Sequence, residues 1–178
     1  MSNSNTFVAV LMGSDSDLPV MQSTLEILDK FSINYELKIT SAHRTPAATH
    51  AYVKDAESRG ATVFIAAAGL AAHLAGTVAG LTVKPVVGVP MDAGPLNGID
   101  ALLSTVQMPG GIPVASMAIG KAGAKNAGYI AAQILAVANP DLADRIRAER
   151  EVNARAIEDK DKLIQQQLSK LWEELVSL

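Results

Sequence analysis

The chain lacks cysteine entirely and is poor in aromatic residues, which make up 4% of its 178 residues. Without cysteine, the protein has no disulfide bonds, no thiol nucleophile and no cysteine-ligated metal. Its only tryptophan, Trp172, lies near the C-terminus, and the polar loops described below contain no phenylalanine, tyrosine or tryptophan. A flavin carrier, which stacks aromatic rings on its cofactor, is therefore disfavoured.

The chain also lacks an excess of positive charge, because its formal net charge is −3. A nucleic-acid-binding surface normally carries a basic patch, so we expect no nucleic-acid partner. The polar N-terminal residues 1–6 lack the basic and apolar pattern of a signal peptide, and we expect a cytoplasmic location.

Formal charge is missing from residues 60–83, unless His73 is protonated. A stretch of this length would admit a membrane span. However, glycines interrupt it at Gly69, Gly76 and Gly80, and its first residues are strand-like. We therefore expect a buried strand, a glycine turn and a small-residue helix, and no membrane partner.

Hydrophobic residues make up 49% of the chain and charged residues 19%, which is typical of a globular protein with one core. Apolar runs predict five strands, and helical spacing of apolar residues predicts helices between them. The predicted strands cover 7–12, 35–39, 62–67, 85–89 and 114–119, and the predicted helices cover 18–28, 46–59, 71–80, 98–106 and 122–138. This alternation predicts an α/β protein in which helices cover both faces of a parallel sheet.

The C-terminal part of the chain has a different character, and we divide the protein into a core domain, 1–140, and a helical extension, 141–178. The extension is dense in charge up to Lys162, and apolar residues then recur at spacings of four and three from Ile164 to Leu175. Such a helix either packs on its own domain or reaches a neighbouring subunit. The pattern leaves both alternatives open.

A polar loop, 13–17, follows the first predicted strand. Its backbone N–H groups and the hydroxyls of Ser14 and Ser16 are suited to a phosphate at a helix start. Asp17 is suited to accepting hydrogen bonds from ribose hydroxyls. Taken alone, the loop is better explained as a capped turn whose serines bond the backbone, and it lacks the spacing of a Walker loop.

A second polar loop, 41–46, follows the second predicted strand and contains His43 and Arg44. The guanidinium of Arg44 offers planar donors that suit a phosphate, and an imidazole titrates near neutral pH. Each residue also has a simpler explanation, as a surface ion pair or a hydrogen-bonded histidine. His73 is expected to be packed or to support the site, His50 to lie on a helix surface, and the three histidines to bind no metal. Because ligands of open parallel sheets bind beyond the carboxyl ends of the strands, we expect these loops to converge, together with the proline loops around 91–97 and 108–113.

Five segments of the chain resemble 5-(carboxyamino)imidazole ribonucleotide mutases of purine biosynthesis. They are residues 12–17 (MGSDSD), 41–46 (SAHRTP), 71–74 (AAHL), 106–114 (VQMPGGIPV) and 118–127 (AIGKAGAKNA). The resemblance covers roughly residues 8–134. It implies a three-layer flavodoxin-like fold, a homo-octamer and a reaction that uses neither metal nor organic cofactor.

The implied reaction moves a carboxylate from the exocyclic nitrogen of a phosphoribosyl-aminoimidazole to carbon 4 of its ring. The resemblance implies that His43 is the catalytic proton carrier. Further residues are implied to bind the substrate: Ser14, Ser16, Asp17 and Arg44 the nucleotide, and Ser41, Ala68, Gly69, Ala71 and His73 the region around the migrating carboxylate.

The resemblance has two departures in the third loop, where Leu70 and Ala75 stand in place of an expected glycine and proline. A leucine would be strained if that glycine had a positive φ. Two other functions remain as alternatives: a carboxylase that takes free carbon dioxide, in which we expect lysine after the histidine where this chain has Arg44, and a non-catalytic phosphate-binding module. A phosphoacceptor receiver is disfavoured, because Ala66, Ala67 and Ala68 stand where its aspartate belongs.

Overall fold

The structure, a computed structural model, describes residues 6–176 and, within them, every side chain except that of Glu174. Its strands are β1 (Phe7–Met12), β2 (Tyr35–Ile39), β3 (Ala61–Ala68), β4 (Val86–Pro90) and β5 (Ala115–Ser116). Its α-helices are α1 (Leu18–Lys30), α2 (Pro46–Arg59), α3 (Leu74–Ala79), α4 (Ile99–Val106), α5 (Lys121–Ala136) and α6 (Pro140–Val176), and a short 3-10 helix, Asp15–Asp17, precedes α1.

The strands form one parallel sheet in the order β2-β1-β3-β4-β5. Strand β1 is wholly buried. Its residues alternate between the two faces of the sheet: Val8 and Val10 pack in one apolar cluster, and Ala9 and Leu11 pack in the other. An apolar run without polar alternation is what a strand covered on both faces requires. The predicted three-layer, flavodoxin-like architecture is confirmed.

Helices α1 and α5 cover one face of the sheet, and α2, α3 and α4 cover the other. The contact between α1 and α5 is close because Gly128 of α5 lies against Ile27 of α1, where an added Cβ would come within 2.8 Å of the Ile27 Cβ. At the same contact, the buried hydroxyl of Thr24 donates a hydrogen bond to the carbonyl of Ala124, at 2.6 Å.

Two predicted elements are shorter in the structure than the sequence indicates. Helix α3 begins at Leu74 rather than Ala71, because the chain before it turns sharply and the N–H of His73 bonds the carbonyl of Ala71. Strand β5 has two residues instead of six, since it lies at the sheet edge and pairs only with β4. The other boundaries differ by up to two residues, which is within the usual fraying of element ends.

Helix α6 is 37 residues long, which corresponds to roughly 55 Å. Its first turns belong to the core, because Leu142 and Ile146 pack with Ile27 of α1 and with Phe31, which directly follows that helix. One turn later, Glu149 accepts hydrogen bonds from the ammonium of Lys30 and from the hydroxyl of Tyr129, the latter at 2.6 Å.

Beyond Glu149, the described side chains of α6 are all exposed, up to Val176. Among residues 6–176, no helix combines the length and apolar character that a membrane crossing requires.

Candidate functional site

A cavity of about 540 Å³ lies beyond the carboxyl ends of β1, β2 and β3. The connection that follows β1 leads to β2 on one side of it, and the connection that follows β2 leads to β3 on the other side. In open parallel sheets, a crevice forms where the strand order reverses in this way. All the site residues predicted from the sequence line this one cavity: Ser14, Ser16, Asp17, Ser41, His43, Arg44, Ala68, Gly69, Ala71 and His73. The structure therefore brings the predicted residues together, and their individual roles remain predictions.

The first loop of the site is a tight turn held by its own side chains. Ser14 caps the 3-10 helix, and its hydroxyl accepts hydrogen bonds from the N–H and the hydroxyl of Ser16, at 3.3 and 2.8 Å. The N–H of Ser14 donates to the carboxylate of Asp17 at 3.2 Å. Two of the N–H groups expected for a phosphate are thus already bonded. The hydroxyls of Ser14 and Ser16 are also engaged, because they donate to Asp15 and to Ser14, and each must rotate to donate to a ligand.

Asp17 is only 8% exposed, although it lines the cavity. Burial raises the pKa of its carboxyl, and the hydrogen bond from the Ser14 N–H partly opposes that rise. In the structure Asp17 occupies the N-cap position, but its side chain makes no cap hydrogen bond to α1 and bonds the first loop instead.

The second loop is joined to the first through Arg44. The guanidinium Nη2 of Arg44 donates to the carbonyl of Gly13 at 3.0 Å, and the backbone N–H of Arg44 donates to the hydroxyl of Ser41 at 3.1 Å. The hydroxyl of Thr45, the N-cap residue of α2, accepts from the N–H of Ser41 at 2.9 Å rather than from the helix it precedes. These bonds fix the loop, and the Arg44 side chain lines the cavity.

His43 and His73 form a hydrogen-bonded pair across the cavity. Nε2 of His43 and Nδ1 of His73 are 2.7 Å apart, and the two rings meet edge to face at 78°. Both side chains are exposed. The expectation that His73 is packed in the protein is therefore wrong, whereas its alternative role, as a support for the site, agrees with the pair. In this arrangement Nδ1 of His43 remains for proton exchange with a ligand.

The third loop, which follows β3, has the backbone strain that the sequence predicted for the case of a positive φ at Leu70. Leu70 has φ 56°, the left-handed region that favours glycine. Ala75, the other departure from the resemblance, is 3% exposed and lies in α3 beside the sheet.

Several cavity residues were missed from the sequence: Gly13, Ala42, Leu70, Leu74 and Ala93. Most of them adjoin predicted site residues, and Ala93 follows β4, so loop position was the available signal. The proline loop 108–113 and Lys121 do not line the cavity. Within residues 6–176, no group of histidine and carboxylate side chains is arranged to hold a metal ion.

Comparison with known proteins gives consistent results. Residues 7–156 match the model of the AIR carboxylase family. The chain is 51% identical to the N5-carboxyaminoimidazole ribonucleotide mutase of Thermotoga maritima over 159 residues, covering 89% of this chain and 92% of that protein. It is 49% identical to the enzyme of the same name from Bacillus subtilis, covering 88% and 98% of the two chains.

Among solved structures, the crystal structure of Treponema denticola PurE matches with a TM-score of 0.80 and 30% identity, covering 88% of this chain and 97% of that one. The match of one family model to most of the chain, the identity to curated relatives and the shared fold agree. The chain belongs to the AIR carboxylase family.

Proposed function

We propose that this protein is an N5-carboxyaminoimidazole ribonucleotide mutase, an isomerase of purine biosynthesis. The observation that supports it most directly is the placement of His43 in one cavity with the hydroxyls of Ser14 and Ser16 and the guanidinium of Arg44. The curated relatives of the chain carry the name of this enzyme. A cytoplasmic location follows from the proposal, because the substrate is an intermediate of intracellular nucleotide synthesis.

The polar residues of the cavity are suited to the phosphoribosyl group. Arg44 supplies donors for phosphate, as do the hydroxyls of Ser14 and Ser16 once they rotate away from their partners in the loop, and charged donors form the stronger hydrogen bonds. Asp17 supplies a carboxylate acceptor for the ribose hydroxyls. Anchoring of the nucleotide by these groups leaves the imidazole ring near His43, as proximity catalysis requires.

The chemistry needs one proton carrier. The bond between the exocyclic nitrogen and the carboxylate carbon breaks, carbon dioxide leaves, and the nitrogen takes a proton from His43. Carbon 4 of the ring then attacks the carbon dioxide, and His43 removes the proton from that carbon. His43 begins and ends the cycle protonated, and atoms and charge balance without a further reactant.

The test is a comparison of His43→Asn with the parent protein. We expect turnover of the carbamate substrate to fall by ~10²–10⁴-fold, the usual contribution of a positioned proton carrier, while nucleotide binding persists. His50→Asn is the matched control, because His50 lies exposed on α2 and outside the cavity.

Other outcomes separate the alternatives. Efficient turnover of aminoimidazole ribonucleotide with bicarbonate, and none of the carbamate, would assign the carboxylase instead. Binding without turnover of either substrate in the parent protein would indicate a non-catalytic module.

We further propose that the exposed part of α6 packs against a second copy of the chain. Its apolar residues Ile157, Ile164, Leu168, Leu171 and Leu175 follow spacings of seven, four, three and four, which places them on one stripe. They are 53–65% exposed. A stripe of this length on a helix that projects from its own domain is typical of a pairing surface, and one that repeats every heptad is complementary to itself. The resemblance favours a homo-octamer as the assembly.

A further inference from the structure

Leu70 combines backbone strain with little burial. Its φ is 56° and its side chain is 52% exposed. Leucine has no short polar side chain with which asparagine or aspartate compensates such a conformation. Strained residues persist where the surroundings hold them in place, and they concentrate at functional sites.

The side chain of Leu70 rests against the loop that follows β4. A Cβ added to Gly94 would lie 2.4 Å from Cδ2 of Leu70, so the leucine side chain would have to move to admit it. Gly94 itself has φ 78°, which favours glycine. The neighbouring residue makes a parallel contact, because a Cβ added to Gly69 would lie 2.9 Å from the Cβ of Ala93. Two consecutive residues after β3 are thus fitted against two consecutive residues after β4.

These contacts belong to the apolar part of the cavity lining. That part comprises Ala68, Gly69, Leu70, Ala71 and Ala93, whereas Ser14, Ser16 and Arg44 are polar lining residues. The proposed reaction releases carbon dioxide between its two steps. A small, uncharged molecule is retained by a closed apolar wall rather than by hydrogen bonds, and the same wall excludes water.

We propose that Leu70 is a positioning residue that holds loop 91–98 against the end of β3 and so closes the wall that retains carbon dioxide during the transfer. The inference rests on the proposed mutase function. It explains why a leucine occupies a left-handed position without being buried.

The test follows a labelled carboxylate carbon in the presence of unlabelled bicarbonate. In the parent protein the label remains with the product. In Leu70→Gly we expect escape of the label per turnover to rise about tenfold after subtraction of the enzyme-free loss, because the wall opens. The melting temperature should stay equal or rise, because glycine relieves the strained φ. A purely structural role for Leu70 would change stability and leave the retention of label unaltered.

Two further variants complete the experiment. Gly94→Ala disturbs the same contact from the opposite loop and should also release label. Ser32→Gly is the matched control: Ser32 has φ 52° but lies outside the cavity, so its replacement relieves strain without release of label.

If Leu70→Gly and Gly94→Ala both retain label as the parent does, the inference is overturned and the mutase function stands. If the parent protein does not convert the carbamate at all, the proposed function itself fails, and the inference with it.

Discussion

His43 and His73 come from loops 30 positions apart in the chain and meet at a single hydrogen bond of 2.7 Å. One of the two nitrogens must donate, so the pair fixes the tautomers of both rings together. When His43 is an imidazolium, its Nε2–H donates to Nδ1 of His73 and its Nδ1–H is the other donor of the ring. Under the proposed function, we expect His73 to orient the proton that His43 delivers and to accept a hydrogen bond from its charged form.

At the same scale, we expect the planar guanidinium of Arg44, and not only its positive charge, to be needed for nucleotide binding. Its guanidinium bonds the Gly13 carbonyl and still presents donors to the cavity. We expect Arg44→Lys to raise the KM for the nucleotide about tenfold, because one charged hydrogen bond is worth roughly 1.5–3 kcal/mol and lysine lacks the planar fork. Steady-state kinetics measure the change.

Arg59→Lys serves as the control for Arg44→Lys. Arg59 pairs with Glu36 and Asp55 on the surface of the protein, away from the cavity. An unchanged KM in Arg44→Lys would show that the guanidinium does not bind the nucleotide.

At the scale of elements, strands and most helices could be predicted from the sequence because their apolar periods are strong. The buried run of β1 and the Gly60 stop of α2, with φ 111°, needed only local information. The length of β5 and the start of α3 depend on which neighbours pair with them, and periodicity carries no such information. Similarly, the loops of the site could be located from the strand ends, whereas the contact between His43 and His73 required the fold.

Strand β4 and helix α4 are fitted so closely that a single methyl group is decisive. A Cβ added to Gly88 would lie 2.3 Å from Cγ2 of Thr105 and 2.9 Å from Cγ1 of Val114. We expect Gly88→Ala to lower the free energy of unfolding by about 3 kcal/mol, since overpacking of a rigid core forces its neighbours to move. Urea denaturation measures this loss.

Gly110→Ala provides the comparison, because nothing lies within 4 Å of the position where its Cβ would stand. Its denaturation midpoint should match that of the parent. Equal midpoints for Gly88→Ala and Gly110→Ala would refute the packing argument.

At the scale of the whole molecule, α6 has two parts with different tasks. The first is anchored by Glu149. Burial raises the pKa of its carboxyl, but the hydrogen bonds from Lys30 and Tyr129 together have the larger effect, so the pKa lies below its ordinary value. The pKa of Tyr129 is raised to about 12, first by burial and then by its hydrogen bond to Glu149 and the charge of that carboxylate. This anchor directs the second, exposed part away from the core.

The assembly proposal is tested on the full chain by its mass in solution. We expect the parent protein to sediment as an oligomer of 18.6-kDa chains, and an octamer in particular. Leu168→Glu together with Leu171→Glu should shift the mass to smaller species, because charges on the stripe cannot be buried without a partner. Lys162→Glu, which reverses an existing charge outside the stripe, is the control. A monomeric parent protein, or an assembly unaffected by the double substitution, would contradict the proposal.

The order of the strands also bears on how a newly synthesised chain matures. Every polar side chain assigned to the site lies within the first 73 residues, and a ribosome releases these before Val86–Pro90. At that moment β3 still has a bare edge, since its partner β4 is inside the exit tunnel. The nascent chain thus exposes its full set of ligand-binding groups on an incomplete sheet. The cavity acquires its last wall, at Ala93, only after about twenty more residues have emerged, which takes roughly one to four seconds of translation.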